Sequence, residues 1–255
     1  MTAGCPEAVQ RIPLDPIPMP AAIRVVNDNV SKITGTLRAS GSVDATLRTT
    51  SGSKRSFHLD AILFYLGPTY LRFDLKKFGD RQILLGSNEQ QHWYYSREDD
   101  AYTCSRHAAA EDQVTELPIR PDQIIDALGL STIPSSSAPG VLFQRVEGDF
   151  QQILFVQRDE DGVPILEKEY WLDRYAPRLV RRVVFRDSDG VMEMESRLGA
   201  YRKPAAGGPW LPHEIRADWP GAGAQMCLRV ARWKLVEQVK PDGIQFATPR
   251  ECEAH

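Results

Sequence analysis

The sequence predicts an α+β protein built mainly on one antiparallel sheet. Segments that alternate apolar and polar residues recur between short turns such as 51–54 and 67–68, and turns at regular spacing are typical of an antiparallel meander. Charged residues within these segments indicate a sheet with one solvated face. A stripe of apolar residues at helical spacing precedes the first strand-like segment, which adds a helix to the sheet.

The N-terminal stripe predicts a helix over 20–33. Pro20 suits the first position of a helix, and Gly35 is well placed to end one. The apolar residues that share one side of this helix are Ile23, Val26, Val30 and Ile33. One face of the helix is therefore expected to be buried.

Strands follow the helix for most of the chain. The first, over 36–49, is expected to bend or bulge near Gly41, because glycine inside a strand often marks such a site. A short second helix over 120–130 opens at Pro121, and the Ser/Pro/Gly-rich segment 128–140 is expected to be mobile. The other predicted strands cover 55–66, 69–77, 81–86, 90–96, 101–106, 153–157, 164–173, 179–186, 191–201 and 226–239.

The segment 92–102, HWYYSREDDAY, is interpreted as a hairpin with REDD as its turn. Trp93 and Tyr95 share one face of the first arm, because successive strand residues point to opposite faces. Acidic residues favour turns. Carboxylates exposed in a turn lack the burial that tunes catalytic acids, so Glu98, Asp99 and Asp100 are not expected to be catalytic.

The N-terminus resembles the end of a bacterial lipoprotein signal, in which small residues precede a cysteine. Ala3 and Gly4 fit that pattern before Cys5, whereas Thr2 replaces the usual aliphatic residue. The hypothesis is that the apolar part of the signal has been removed and that Cys5 carries lipid in the native protein. The alternative is an ordinary cytosolic N-terminus with a chance cysteine.

Prolines at 13, 16, 18 and 20 exclude a helix interior or a central strand over 11–20. Such a segment favours extended polyproline II, and fifteen such residues span about 45 Å. It is either a stalk between a lipid anchor and the domain or a tail that lies on the domain. The predicted division is a lipoprotein-like linker over 1–19 and one domain over 20–250.

Composition and motifs exclude several classes of function. The net charge of −3, with both signs interspersed, gives no clustered basic face for nucleic acid. The longest apolar run, 61–66, is too short for a transmembrane helix. No nucleotide, hydrolase or metalloprotease motif occurs, and neither paired histidines nor a CxxC motif suggests a metal site. We expect a protein without enzymatic activity, cofactor or metal, in which Cys104 and Cys227 are small buried apolar residues. If Cys5 is lipidated, three thiols remain and at most one disulfide forms.

The order of several segments resembles the periplasmic outer-membrane lipoprotein-carrier superfamily (LolA/LolB-like) over about 20–248. The resemblance rests on ILLGSNEQ followed by HWYY and an acidic turn, and on EYWLD, LVRRVVFRDSDG, WLPHEIRADWP and QFATPRE in the second half. It implies a strongly curved antiparallel sheet, an incomplete barrel, with helices packed across its concave side. It also implies an apolar concave face that holds acyl chains, and an arginine inside the barrel that holds the lid. Arg38, Arg48 and Arg72 are the candidates for that arginine.

The strand pattern suggests two sets of residues for the wall of such a cavity. Leu71, Phe73 and Leu75 share one strand face, and Trp93 and Tyr95 share another. Either set is free to face inward in a curved meander.

The short second helix is the predicted lid. Its only apolar face consists of Ile124, Ile125 and Leu128, and Gly129 is placed to cap it. A helix of this length is not stable alone in water, so this face must rest on the sheet.

The expected function is to bind an apolar lipid or the acyl chains of a lipoprotein on the periplasmic side of the cell envelope. The protein is tethered to the membrane only if Cys5 is lipidated. One alternative is an envelope sensor of the same fold that grips a protein partner. The other is a structural lipoprotein whose cavity is filled by its own side chains.

Overall fold

The computed structural model describes residues 12–48, 53–98, 100–106, 121–134, 140–158, 161–236, 243 and 245–253. Within these residues, thirteen strands form a single sheet that three helices accompany. The elements in chain order are α1 (Met19–Val30), β1 (Thr36–Arg48), β2 (Lys54–Leu66), β3 (Tyr70–Lys77), β4 (Asp80–Ser87), β5 (Gln91–Ser96), β6 (Ala101–Arg106), α2 (Pro121–Ala127), β7 (Val141–Glu147), β8 (Phe150–Arg158), β9 (Pro164–Asp173), β10 (Val180–Arg186), β11 (Met192–Gly199), β12 (Glu214–Trp219), β13 (Ala224–Val236) and α3 (Arg250–Glu253).

The sheet consists of two successive antiparallel meanders. Neighbours in the chain are neighbours in the sheet from β1 to β6 and again from β7 to β13. Pairing of β1 with β13 joins the meanders, so β6 and β7 form the two edges of the sheet. The sheet therefore does not close, and the predicted α+β fold with an incomplete barrel is confirmed.

Helix α1 confirms the predicted N-terminal helix but ends at Val30, before the predicted end at residue 33. The N–H of Ser31 donates the last helical hydrogen bond, at 2.8 Å from the Asn27 oxygen, and Ile33 then closes a tighter turn onto the oxygen of Val30. Val26 is buried, and Ile23 and Ile33 pack against the same core. The apolar stripe is thus correct, although its last member lies just beyond the helix.

The bulge predicted near Gly41 is present. The pairing of β1 with β13 shifts between Ser40 and Gly41, so that Ser40 faces Arg232 and Gly41 faces Val230. A Cβ atom at position 41 would lie 2.0 Å from the carbonyl oxygen of Arg229. Only glycine permits this close approach of the two strands, and the bulge adds local bend and twist.

The two faces of the sheet differ in chemistry. We call the face that packs against α1 and α2 the inner face, and it belongs to one large buried apolar cluster that includes Leu37 and Leu63. The outer face, turned away from these helices, carries paired charges. Asp74 there accepts hydrogen bonds from Arg81 at 3.0 Å and from Arg72 at 3.3 Å. Burial raises the pKa of Asp74, but the two arginines outweigh it and hold that pKa below its usual value.

Strand β7 is not predicted by the sequence pattern. Its apolar residues Val141, Phe143 and Val146 are exposed and fall on both faces. The alternation that marks a half-buried strand is absent, because β7 is an edge strand with few neighbours to cover it.

Part of the proline-rich segment lies on the domain. The backbone N–H of Leu14 donates to the oxygen of Arg174 at 2.7 Å, and the Arg174 side chain donates back to the oxygen of Leu14. Gln151 holds the backbone of Ile17 through both its amide oxygen and its amide nitrogen. Cys5 lies outside the described residues, and the domain boundary at residue 19 stays a prediction.

Candidate functional site

The first set of cavity residues lies on the inner face, directly in the core. Leu71 and Phe73 are fully buried and Leu75 is 4% exposed. They belong to the same apolar cluster as Ile124, Ile125 and Leu128 of α2. The structure therefore brings this strand face and the predicted lid together.

The second set lies on the outer face. In the pairing of β4 with β5, Leu85 faces Tyr94 and Gly86 faces Trp93, which turns Trp93 and Tyr95 away from the inner face. Trp93 packs instead with Leu84 in a separate small cluster, with Tyr95 against it. Trp93 and Tyr95 therefore do not share a wall with Leu71, Phe73 and Leu75.

The C-terminal segment covers this outer cluster. Cys252 in α3 forms a disulfide with Cys104 of β6 and packs on Trp93. Phe246 is buried with its ring edge-on to Tyr70, at 5.6 Å between centroids.

The expectation that Cys104 is a small buried apolar residue is wrong, because it is half-buried and forms this disulfide. Strand periodicity cannot show which cysteine lies across from it, and its partner is 148 residues away in the sequence. Cys227 is free and half-buried.

Helix α2 ends in the way its sequence predicts. Gly129 has φ +67°, its N–H donates to the oxygen of Asp126 at 2.9 Å, and the N–H of Leu130 donates to the oxygen of Ile125 at 3.1 Å. This pair of hydrogen bonds is the Schellman motif. Both Ile125 and Leu130 are buried, so the cap also places Leu130 in the core.

A buried carboxylate holds α2 to the sheet. Asp126 is 5% exposed, and it accepts hydrogen bonds from Lys168 Nζ at 2.8 Å and from the Tyr170 hydroxyl at 3.3 Å. The Ser131 hydroxyl also donates to it. We call this group, Asp126, Lys168, Tyr170 and Ser131, the Asp126 latch. Lys168 Nζ also lies 4.3 Å from the centre of the Phe185 ring, which adds a cation–π contact.

Tyr170 of this latch and Tyr65 beside it stay protonated donors at neutral pH. Burial and, to a smaller extent, the charge of Asp126 raise the pKa of Tyr65 to about 12. Burial also raises the pKa of Tyr170 well above its usual value, again with the charge of Asp126 adding to the effect. The Tyr65 hydroxyl donates to the oxygen of Leu130 at 3.0 Å, so the residue after the helix is held as well.

Further hydrogen bonds fix both ends of α2. Ser196 of β11 donates to the oxygen of Ala127 at 2.7 Å, and Trp219 of β12 donates to Gln123 at 3.4 Å. Asn27 of α1 holds Ile133 through both backbone atoms, at 2.8 and 3.0 Å. The lid candidates are thus closed on the sheet in this structure.

The cation at the latch is a lysine, whereas the resemblance implies an arginine. Arg72 bonds Asp74 on the outer face, and Arg38 lies over the Phe64 ring at 5.7 Å. The side chain of Arg48 lies outside the described residues. One sequence signal could have pointed to Lys168: it alternates with Tyr170 and Leu172 on the apolar side of β9.

A cleft opens beside α2. It encloses about 540 Å³ between the end of α1, the turn from β2 to β3 and the residues after α2. Its lining includes Ile33, Tyr65, Pro68, Ile125 and Leu130. This is a largely apolar route from solvent to the edge of α2.

The described acidic residues of the turn over 97–100 contact neighbouring side chains. Glu98 pairs with Arg55 at 2.8 Å, and Asp100 accepts from Tyr95 at 3.2 Å. Asp99 lies outside the described residues. His213 contacts the Val230 oxygen at 2.6 Å. The described part of the chain contains no group of three or more metal-ligating side chains.

No helix within the described residues is long and apolar enough to span a membrane.

Solved structures share this architecture. A domain assigned to outer membrane lipoprotein sorting, from Vibrio parahaemolyticus, aligns with a TM-score of 0.56 at 11% identity, covering 86% of this chain and 93% of that one. A LolA superfamily protein from Nitrosomonas europaea aligns with a TM-score of 0.54 at 10% identity, over 89% and 97% of the two chains. This chain has the LolA-like fold.

A third solved structure also resembles this chain. A DUF1329 family protein from Desulfovibrio piger aligns with a TM-score of 0.56 at 10% identity, over 88% of this chain and 96% of that one. No protein-family model and no curated protein matches the sequence. At these identities the LolA-like likeness concerns the fold alone.

Proposed function

We propose that this chain is a non-enzymatic carrier in the cell envelope. It binds an acylated ligand, a lipid or the acyl chains of a lipoprotein, between α2 and the inner face of its sheet. The observation that carries this proposal is the way α2 is held. The apolar face of α2 belongs to the same buried cluster as Leu71, Phe73 and Leu75, and a buried polar latch holds the helix in addition to this apolar packing.

A buried ion pair is a poor device for stability alone. Desolvation of the two charges offsets most of their attraction, and well-packed apolar residues often do better. Such a pair does define one position of a structural element. When the whole pair separates, the element is released. The Asp126 latch is therefore well suited to a lid that has one closed position and must also open.

The apolar surface beneath α2 suits an acyl chain. Each buried methylene contributes about 0.8 kcal/mol, so twelve methylenes contribute roughly 10 kcal/mol before ordering costs. A ligand that replaces the contacts of Ile124, Ile125 and Leu128 can therefore compete with the lid. The cleft beside α2 gives its chain an approach.

The disulfide favours a location outside the cytoplasm. Disulfides persist in oxidising compartments such as the bacterial periplasm and are rare in the cytosol, and Cys104 and Cys252 are paired here. We place the carrier on the periplasmic side of the envelope, with lipid attachment at Cys5 as part of the proposal.

A structural role is the second candidate, because α2 fills the inner face in this structure. Purification of the full chain, organic extraction and mass spectrometry separate the two. A carrier retains lipid and binds a palmitoylated lipopeptide but not the same peptide without its acyl chain. A structural protein retains no lipid and binds neither peptide.

Weakening the latch should improve binding. Asp126→Asn removes the carboxylate that holds α2 closed, so the ligand displaces the helix at less cost and binds about tenfold more tightly. Asp74→Asn is the matched control, since Asp74 is an equally buried carboxylate with cationic partners but lies on the outer face. Equal tightening in both variants would show general destabilisation and would count against the lid.

A further inference from the structure

A separate cleft lies between α1 and the start of β10. It encloses about 230 Å³, which is the space of about eight water molecules at roughly 30 Å³ each. Apolar walls are supplied by Val26 and Val30 of α1, by Leu179 and Val180, and by Trp210. The cleft thus has room for a small molecule with an apolar body.

Arg178 lines this cleft with an unsatisfied donor. Its Nη2 donates to the backbone oxygen of Asp15, whereas its Nη1 is buried and has no hydrogen-bond partner among the described residues. A buried donor of a charged group that bonds nothing carries a desolvation cost. A rotation of the guanidinium that turns Nη1 into the cleft would let a ligand oxygen remove that cost.

The backbone conformation of Arg178 also indicates a ligand site. Its φ is +62°, a left-handed conformation that costs free energy for a residue other than glycine and that clusters at ligand sites. The strain and the unsatisfied donor therefore occur in one residue at one cleft.

The charges around the cleft favour an anion. Arg178 and Lys32 supply two cations, and Asp28 supplies one carboxylate. Asn29 does not compete for a ligand, because its side chain accepts from the backbone N–H of Trp210 at 2.7 Å and donates to the backbone oxygen of Trp210 at 3.0 Å. Asn29 instead fixes the backbone of Trp210, which lines the cleft.

We propose that this cleft is a binding site for a small organic carboxylate, separate from the acyl site under α2. One carboxylate oxygen accepts a hydrogen bond from Arg178 Nη1, and the apolar body of the ligand lies against Val26, Val30 and Trp210. The apolar walls favour an organic acid over inorganic phosphate, which would leave them uncovered. The site does not depend on opening of α2.

Titration of the full chain by calorimetry tests the site with hexanoate, hexanol and inorganic phosphate as probes. Hexanoate should bind at least about tenfold more tightly than hexanol, because a charge-assisted hydrogen bond to arginine is lost with the alcohol. Phosphate should bind more weakly than hexanoate. Binding of phosphate as tight as that of hexanoate, or no binding of hexanoate, would overturn the proposal.

Variants of two arginines identify the group responsible. Arg178→Asn should lower hexanoate affinity about tenfold, and asparagine tolerates positive φ better than most residues. Arg174→Asn is the matched control, because Arg174 also bonds the N-terminal segment, at the oxygen of Leu14, but does not line the cleft. It should bind hexanoate as the wild type does. An equal loss in both variants would mean that Arg178 only holds that segment, and the proposed site would be wrong.

Discussion

At the residue scale, the alternation of strand side chains decides which groups a ligand could meet. Leu71, Phe73 and Leu75 lie on the inner face, in the cluster that also contains the apolar residues of α2, whereas Trp93 lies on the outer face and is covered by the C-terminal segment. One set of candidates thus shares a core with the proposed lid and the other does not. The role of the first set in binding stays a prediction.

Phe73→Asp should abolish lipid retention and destabilise the fold by more than about 3 kcal/mol. Phe73 is fully buried, and the substitution both leaves a cavity and buries an unpaired charge. Urea denaturation and mass spectrometry of extracted lipid measure the two effects. Tyr95→Asp is the control, because Tyr95 is half-buried on the outer face, and this variant should retain lipid. A folded Phe73→Asp protein with wild-type lipid content would exclude Phe73 from the site.

The alternation of strand side chains is a local pattern, whereas the Asp126 latch joins residues that are far apart in the sequence. Lys168 and Asp126 are 42 positions apart, and no local pattern pairs them. The Ser196 contact with Ala127 is similarly long-range. Sequence periodicity could therefore show that the apolar face of α2 must be covered, but not which polar groups hold it.

At the element scale, the sequence predicts those strands, bulges and helix ends that are determined by interactions between nearby residues. The strands β6 and β9 have the bounds predicted from the sequence, and Gly41 and Gly129 mark a bulge and a helix end because each position has a local backbone requirement. Strand β7 and the C-terminal helix are among the elements missed, since their burial depends on their place at the edge or against the outer face.

Gly41→Ala tests the bulge as the point at which β1 and β13 approach. Its Cβ would meet the Arg229 oxygen, so the strands must separate, and the free energy of unfolding should fall by about 1–3 kcal/mol. Gly199→Ala is the matched control in β11, because its Cβ would have no neighbour closer than 3.8 Å. Urea denaturation should show little change there. An equal loss of stability in both variants would show that Gly41 has no special role.

Helix α2 should open more readily than the strands beneath it. It has seven residues, too few for stability alone in water, and local opening of such an element is the step that ligand entry requires. Amide hydrogen exchange should therefore be faster across 122–129 than across 71–75 and 179–185, and an acylated ligand should change it. Protection of α2 equal to that of both strands, with and without ligand, would show a fixed structural element.

At the scale of the whole molecule, the sheet separates two kinds of packing. The inner face carries the helices and the proposed acyl site, and the outer face carries paired charges and the C-terminal segment. The disulfide between Cys104 and Cys252 joins that segment to an edge strand. Stability added on the outer face therefore leaves the inner face free to open.

This separation predicts what loss of the disulfide does. The bond closes a loop of about 148 residues, so the Cys104→Ser/Cys252→Ser variant should lose about 2–5 kcal/mol of stability. Trp93 should become more exposed, because Cys252 packs on it, and a red shift of tryptophan fluorescence should report this. Affinity for a palmitoylated lipopeptide should not change, since Leu71 and Phe73 lie on the other face. A large loss of affinity in a folded variant would show that the outer face controls the lid, and the two faces would then have to be treated as one coupled system.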